Sequence, residues 1–182
     1  MNLTGKILIA PPNVKGNFWQ KTVIYITEHH ARGSMGLVLN KKSKMPIREF
    51  ALQCNVDCDI DGYVYIGGPV NVKALSLIHS SEWNCTNTMR INSEFSVSSS
   101  HDLLQRLAMG DRPLQWRLAL GLCAWTPGQL ESEITGSAPY DHNMSWLTAT
   151  PNHYNVFELD SSEQWTQSIE QSGSEFVQNL LA

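Results

Sequence analysis

Several patterns are missing from this sequence of 182 residues, and each absence excludes a class of protein. No apolar stretch approaches the ~20 residues that a membrane-spanning helix requires. The short apolar run 7–10 is halted by Pro11 and Pro12, too early for the hydrophobic region of a signal sequence. Repeats and low-complexity linkers are also lacking. The sequence therefore predicts one domain over residues 1–182, located in the cytoplasm and without a membrane partner.

Charge is also scarce, at 16% of residues, and its balance is mildly acidic, with a net charge of −4. Such a balance gives no general electrostatic attraction for nucleic acid. One dense basic run exists, formed by Lys41, Lys42, Lys44 and Arg48. It could contact a phosphate backbone or an acidic partner, but a solvated loop and helix start explains it equally well. Direct nucleic-acid binding is thus not expected, although a local patch leaves it open.

The four cysteines match no zinc pattern, because Cys-x-x-Cys pairs are lacking. Cys54 and Cys58 stand four residues apart, which could place both thiols on one helical face to bind a metal or form a redox pair. The alternative, reduced thiols that are partly buried as small hydrophobic groups, is favoured. Neither a metal site nor a cofactor is predicted.

What the sequence does contain is an interleaved series of strands and helices. Runs rich in Val, Ile, Leu and aromatic residues predict strands at 6–10, 22–27, 35–40, 63–66, 74–79, 95–97, 116–124 and 146–149. Proline, glycine and capping patterns predict helices at 46–53, 100–109, 126–136 and from 160 onwards, the last broken at Gly173. Ser99 with Asp102, and Thr126 with Gln129, form the capping patterns.

The strand at 22–27 has apolar residues on both faces, so it should be covered on both sides. It is followed by a turn containing Gly33 and then by another strand, and such a hairpin requires antiparallel pairing. We therefore expect an α+β domain whose mixed or strongly bent, largely antiparallel sheet is flanked by helices.

Short blocks in a fixed order carry a resemblance over nearly the whole chain. They are Leu8-Ile-Ala-Pro11, Val23-Ile-Tyr-Ile-Thr-Glu-His29, Gly33-Ser-Met-Gly-Leu-Val-Leu-Asn-Lys41, Gly67-Gly68-Pro69-Val70, His79, Ser98, Ser100, Asp102, Ala119-Leu-Gly121, Trp125, Gly128-Gln-Leu-Glu131, Glu133 and Trp146-Leu-Thr148. Together they resemble the AlgH-like (YqgE) family. The resemblance implies a small cytoplasmic bacterial α+β protein with no established reaction, one member being described as a regulator of exopolysaccharide genes. Lys42 departs from a proline that is usual in the family, and the segment 136–143 looks enlarged.

The candidate ligand- or partner-binding residues are the polar, glycine and aromatic positions of these blocks. They are Glu28, His29, Gly36, Asn40, Gly67, Gly68, Pro69, His79, Ser100, Trp125 and Gln129. The tryptophans are mostly core, although Trp125 and Trp146 lie in these blocks and could edge a cleft.

Each candidate has a structural alternative. Glu28 and His29 could relay protons, but neighbours on a strand point to opposite faces, and solvated polar residues are favoured. Asn40 lies about five residues, or ~17 Å, from Glu28 along the hairpin, so the two should not share one site. The turn 67–69 could hold an anion through its amides, but a turn that needs a positive φ is favoured. Ser34 lacks the surroundings of a nucleophile elbow.

Two hypotheses of function follow. The favoured one is a binding or regulatory protein, a role in transcription being one form of it, that acts through an unknown small ligand or protein partner and has no catalytic residue. The alternative is a small enzyme whose polar cleft is formed by Glu28, His29, residues 67–69 and His79.

Overall fold

The computed structural model describes residues 2–137 and 144–181. Most of segment 136–143, which looks enlarged relative to the family, therefore lies outside the described residues. Its strands are β1 (Ile7–Ile9), β2 (Val23–His30), β3 (Gly33–Val38), β4 (Lys42–Pro46), β5 (Tyr63–Ile66), β6 (Val70–Ser80), β7 (Thr88–Arg90), β8 (Phe95–Ser98), β9 (Trp116–Trp125) and β10 (Leu147–Ala149). Its helices are α1 (Ile47–Gln53), α2 (Leu103–Ala108), α3 (Gln129–Thr135) and α4 (Ser161–Leu181), with a π-helical turn at Tyr154–Glu158 before α4.

The strands form one curled sheet in the order β10-β1-β2-β3-β9-β6-β8-β7. The long strand β9 joins its two halves, because β6 pairs along one edge of β9 while β3 and β5 share the other. The β5–β9 pair is parallel, whereas the other described pairs are antiparallel. The mixed, bent and largely antiparallel sheet with flanking helices is thus confirmed.

Side chains of β2 are buried on both faces of the sheet, as the sequence predicts. Val23 and Tyr25 pack in one apolar cluster, and α4 covers it with Trp165 and Ile169. Ile24 and Ile26 pack in a second cluster on the opposite face, beneath α3 and Trp146. A third cluster fills the space between α1, α2 and the sheet. The apolar alternation of one strand therefore determines which helices lie on which face.

The hairpin between β2 and β3 is tighter than predicted. Glu28, His29 and His30 belong to β2, and Gly33 already belongs to β3, so only two residues form the turn. The pairing shifts register between Ile26 and Glu28, which marks a β-bulge. The sequence-based end of this strand at residue 27, with Glu28 and His29 in the turn that follows, was therefore wrong.

Two short strands were not predicted. β4 runs through much of the basic run, and β7 pairs at the edge of the sheet with β8. Lysine and proline are uncommon in strands, so the composition of β4 indicated a loop instead. Lys42 and Pro46 are nevertheless aligned opposite Tyr65 and Tyr63 of β5, so tertiary pairing overrides the local preference.

The helices also differ in detail from the prediction. α4 continues through Gly173 without a break, and α3 begins at Gln129, three residues later than predicted. Gly136 ends α3 in a left-handed conformation, as expected. Asp102, not Ser99, occupies the cap position of α2, and its side chain makes no capping bond. In place of such a bond, the Ser100 hydroxyl donates to the Asp102 carboxylate.

Candidate functional site

A cleft with aromatic walls opens between the end of β9, α3 and the loops before β2, β6 and β10. Its volume is about 390 Å³, within the range of small-molecule sites. We call it the tryptophan cleft, after its lining residues Trp19, Pro69, Trp125, Gln129, Glu133 and Trp146. Three of the sequence candidates, Pro69, Trp125 and Gln129, thus meet here. Trp125 and Trp146 both line this cleft.

The carboxylate of Glu133 organises this cleft. Its Oε2 atom accepts the indole N–H groups of Trp125 and Trp146, at 3.0 and 2.8 Å. Its Oε1 atom accepts the amide of Gln129 at 2.9 Å, one helical turn earlier on α3. The residue is only 7% exposed. Glu133 therefore fixes the orientation of two aromatic walls and one amide wall at the same time.

Other contacts hold the remaining walls in place. The Gln129 side-chain oxygen accepts the backbone N–H of Thr126 at 3.0 Å, but Gly128, not the predicted Thr126, occupies the cap position of α3. Trp19 meets Trp146 edge to face, with ring centroids 5.8 Å apart and an interplanar angle of 88°. Edge-to-face aromatic pairs of this kind are favourable and restrict side-chain motion. The cleft is thus largely preorganised.

Cys123 supplies the thiol of the cleft, and its environment keeps it protonated. Burial, with a further contribution from the charge of Glu133, raises the pKa of Cys123 to about 12. Its Sγ atom points to the Gly67 carbonyl oxygen at 3.6 Å. At neutral pH this thiol is therefore not a thiolate nucleophile.

The glycines 67 and 68 form a backbone seam beside the cleft. The amide of Gly67 donates to the Leu120 carbonyl at 2.7 Å, so it is not available to an anion. A Cβ atom on Gly68 would lie 2.2 Å from the backbone of Leu122, and one on Gly121 would lie 2.3 Å from the Gly68 carbonyl oxygen. Both residues have a positive φ. These glycines permit β9 and the turn before β6 to approach closely.

His29 and Asn40 are tied to neighbouring backbone. His29 accepts the Leu3 N–H at Nδ1 and donates from Nε2 to Glu131, both at 2.9 Å. Asn40 accepts the Val23 N–H at 3.0 Å and donates to the Lys21 carbonyl at 2.7 Å. Their polar atoms therefore join the ends of strands and loops.

His79 lies buried on the other half of the sheet. Its Nδ1–H group donates to the Ser80 carbonyl, and its Nε2 atom accepts the Ser98 hydroxyl, both at 2.8 Å. Burial lowers the pKa of His79 below the ordinary value, which favours the neutral ring. Both ring nitrogens are thus engaged within the core.

The last sequence candidates lie in two other clefts. Glu28 and Gly36 line one of about 320 Å³, where Glu28 lies 3.4 Å from the His30 ring. Ser100 lines another of about 470 Å³ beside α2. Glu28 and His29 have different neighbours, because Glu28 lies beside His30 whereas His29 contacts Leu3 and Glu131. Glu28 lines the cleft of about 320 Å³, and Asn40 is not among its described lining residues. The structure therefore does not gather Glu28, His29, residues 67–69 and His79 into one cleft.

Sequence reasoning did not select Glu133 or Trp19 as site residues. The spacing of Gln129 and Glu133, four residues apart on a helix, was the available signal. No such signal was available for Trp19, because it lies in an irregular loop far along the chain from Trp125 and Trp146.

Metal binding and membrane insertion have simple geometric requirements. Within residues 2–137 and 144–181, no three His, Cys, Asp or Glu side chains are grouped as a metal ion would need. Over the same part of the chain, no helix combines the length and the apolar character needed to cross a bilayer.

Comparisons with known proteins agree with the fold described above. A model of the AlgH-like family matches residues 7–177. The UPF0301 protein of Shewanella denitrificans is 31% identical over 97% of this chain and 95% of its own length. The UPF0301 protein MS0260 of Mannheimia succiniciproducens is 32% identical over 100% of this chain and 97% of its own.

Two solved structures have the same architecture. The solution structure of AlgH from Pseudomonas aeruginosa superposes with a TM-score of 0.77, at 29% identity, over 94% of this chain and 89% of that one. The crystal structure of protein DIP2367 from Corynebacterium diphtheriae gives a TM-score of 0.72 at 21% identity, over 92% and 85%, a likeness of fold alone. The chain therefore belongs to the AlgH-like family of bacterial proteins.

Proposed function

We propose that this protein binds a small ligand in the tryptophan cleft and acts as a binding or regulatory protein, not as a catalyst. The observation that carries the proposal is the arrangement of Trp19, Trp125 and Trp146 around the fixed carboxylate of Glu133. Mostly apolar walls with a few placed polar groups are typical of ligand sites. The cleft thiol, Cys123, is held in its unreactive protonated form.

The enzyme hypothesis has less support. It required Glu28, a histidine and the turn 67–69 to lie within hydrogen-bonding reach of one another. Glu28 lies in a different cleft from Pro69, and both ring nitrogens of His29 and His79 have protein partners. We therefore keep recognition without turnover as the proposed function.

Regulation would then act through a protein partner in preference to DNA. The basic run gives limited support to phosphate binding, because Arg48 pairs with Asp59 and Asp61, and Lys41 donates to the Gln20 carbonyl at 3.3 Å.

We propose the cytoplasm as the place of action, which fits four cysteines that are all free thiols.

A thermal-shift screen against amines, nucleosides, sugars and carboxylates tests the binding function. A ligand present at a hundred times its dissociation constant stabilises a protein by about 2.7 kcal/mol. We expect at least one class to raise the melting temperature of the unmodified protein and of Trp83→Ala, but not of Trp19→Ala. Trp83 is the matched control, because it contacts Asp111 and Arg106 outside the cleft. Equal shifts in both variants, or none with any class, would contradict the proposal.

A further inference from the structure

The tryptophan cleft contains a buried anion that has no counter-cation among residues 2–137 and 144–181. Glu133 is 7% exposed, and no lysine, arginine or histidine of the described residues lies within ion-pair distance of it. The partners that these residues supply are the neutral N–H groups of Trp125, Gln129 and Trp146. Buried charges in proteins are normally paired with an opposite charge. Here neutral donors hold the carboxylate, and the described residues leave its charge uncompensated.

The carboxylate also has acceptor capacity left. Its two oxygens offer roughly four acceptor positions in total. The indoles of Trp125 and Trp146 use two positions on Oε2, while Gln129 uses one on Oε1. Within the described part of the chain Gln129 is the one donor to Oε1, and because Glu133 lines the cleft, this leaves one position on Oε1 for a ligand donor. Such a bond, from a charged donor to a carboxylate, is of the strong class.

The rings around the carboxylate favour the same sign of charge. The faces of tryptophan rings attract cations, and three tryptophans line this one cleft. The indole N–H groups of Trp125 and Trp146 donate to an anion, which polarises both rings towards greater electron density. A cation in the cleft would therefore be attracted by the carboxylate and by the aromatic walls together.

The same features disfavour other ligand classes. No lysine or arginine is among the described lining residues, so a phosphate or carboxylate ligand would meet Glu133 without a compensating positive charge. A divalent metal ion needs several oxygen ligands, whereas Glu133 is the one carboxylate among the described lining residues.

We propose that the ligand of the tryptophan cleft is an organic cation: a protonated amine with small apolar substituents. One ammonium N–H donates to Oε1 of Glu133, and the apolar substituents pack against Trp19, Trp125 and Trp146. This inference rests on the proposed binding function and specifies the chemistry of its ligand.

Three probes of similar shape test the charge and the N–H group separately. They are 2-(dimethylamino)ethanol, which is protonated at neutral pH, its neutral carbon isostere 3-methylbutan-1-ol, and choline, which is charged but has no ammonium N–H. Binding is followed through the indole N–H resonances of Trp125 and Trp146 in a two-dimensional NMR titration. We expect the protonated amine to bind about tenfold or more tightly than the isostere, with choline between them.

Two variants on α3 locate the charge. Glu133→Gln removes the carboxylate of the cleft, and Glu131→Gln removes one from the same helix outside it, where Glu131 contacts His29. We expect Glu133→Gln to reduce the preference for the amine over its isostere to within about threefold, and Glu131→Gln to preserve it. If Glu133→Gln does not fold, the relative affinities of the three probes for the unmodified protein decide whether the cleft prefers a cation.

The outcomes separate the two proposals. Equal affinity for the amine and the alcohol at the indole resonances would overturn the organic-cation inference but support the cleft as a ligand site. If an anionic or neutral compound perturbs the same resonances and the amine does not, the organic-cation inference is again overturned while the cleft is supported as a ligand site. If no compound of any class perturbs these resonances, the proposed binding function itself fails.

Discussion

Arg117 is expected to be a large single contributor to the stability of the fold. Its guanidinium is buried and donates to the Leu39 carbonyl at 2.6 Å, the Gln164 side chain at 2.8 Å and the Leu159 carbonyl at 2.9 Å. These bonds connect β9 with the segment after β3 and with α4. Hydrogen bonds from charged donors each contribute about 1.5 to 3 kcal/mol. The cost of burying the guanidinium charge offsets part of this stabilisation. The same burial lowers the pKa of Arg117 below its ordinary value.

Arg117→Met keeps most of the side-chain volume but leaves three buried acceptors without this donor. Because methionine also avoids the cost of burying a charge, we expect a net loss of about 3 kcal/mol in the free energy of unfolding. With a urea m-value of about 2 kcal/mol/M, the midpoint should fall by about 1.5 M. Arg90→Met is the control, since Arg90 is exposed and, among the described residues, its side chain donates to the Asn92 carbonyl alone.

Arg117→Lys separates charge from geometry. A single ammonium cannot reproduce the planar fork of a guanidinium, so we expect an intermediate loss, smaller than that of Arg117→Met. A loss below about 1 kcal/mol for Arg117→Met, or an equal loss for Arg90→Met, would refute the reasoning.

Three further results are expected. Gly173→Ala should stabilise the protein by about 0.5 to 1 kcal/mol in urea unfolding, because Gly173 lies inside α4 and a Cβ there meets no atom within 4 Å; destabilisation would argue for a helix break at this residue. Gly121→Ala should cost more than about 2 kcal/mol, since φ is +79° and the new Cβ would lie 2.3 Å from the Gly68 oxygen; a thermal shift near zero would contradict this close approach. The pKa of His79 is lowered by burial, so between that pKa and about 6.5 the unfolded chain binds more protons, and stability should fall as pH falls through this window. His79→Gln should have a shallower slope between about pH 5 and pH 7, and an unchanged slope would show that His79 does not cause it.

The sequence was sufficient wherever local pattern and long-range packing favour the same structure. The apolar residues on both faces of 22–27 indicated a strand covered on both sides, because only burial on both faces accounts for such a run. Trp165 and Ile169, one turn apart, indicated the face of α4 that packs on the sheet. Gly136 indicated the end of α3, because glycine readily adopts the left-handed conformation that this residue has in the structure.

The errors arose where a distant contact overrides a local preference. Gly173 indicated a helix break, yet Gln171 and Glu175 on either side of it hydrogen-bond Thr150 and hold α4 against the segment after β10. The basic composition of β4 indicated a loop, but pairing with β5 makes it a strand.

The candidate site was predicted only in part, and the reason is similar. Pro69, Trp125 and Gln129 were selected from motif blocks, and the fold brings them together. Glu133 acquires its importance from Trp146, which is 13 residues further along the chain. His29 and His79 looked suited to chemistry, but their backbone partners Leu3 and Ser80 could not be identified before the register of the strands was known.

A crystal structure of the protein soaked with 2-(dimethylamino)ethanol tests the central claim most directly. We expect the amine between Trp19, Trp125 and Trp146, with its nitrogen about 2.7 to 3.2 Å from Oε1 of Glu133 and the three existing bonds to this carboxylate retained. An empty tryptophan cleft in crystals where the amine occupies another place, or an amine nitrogen facing away from Glu133, would contradict it.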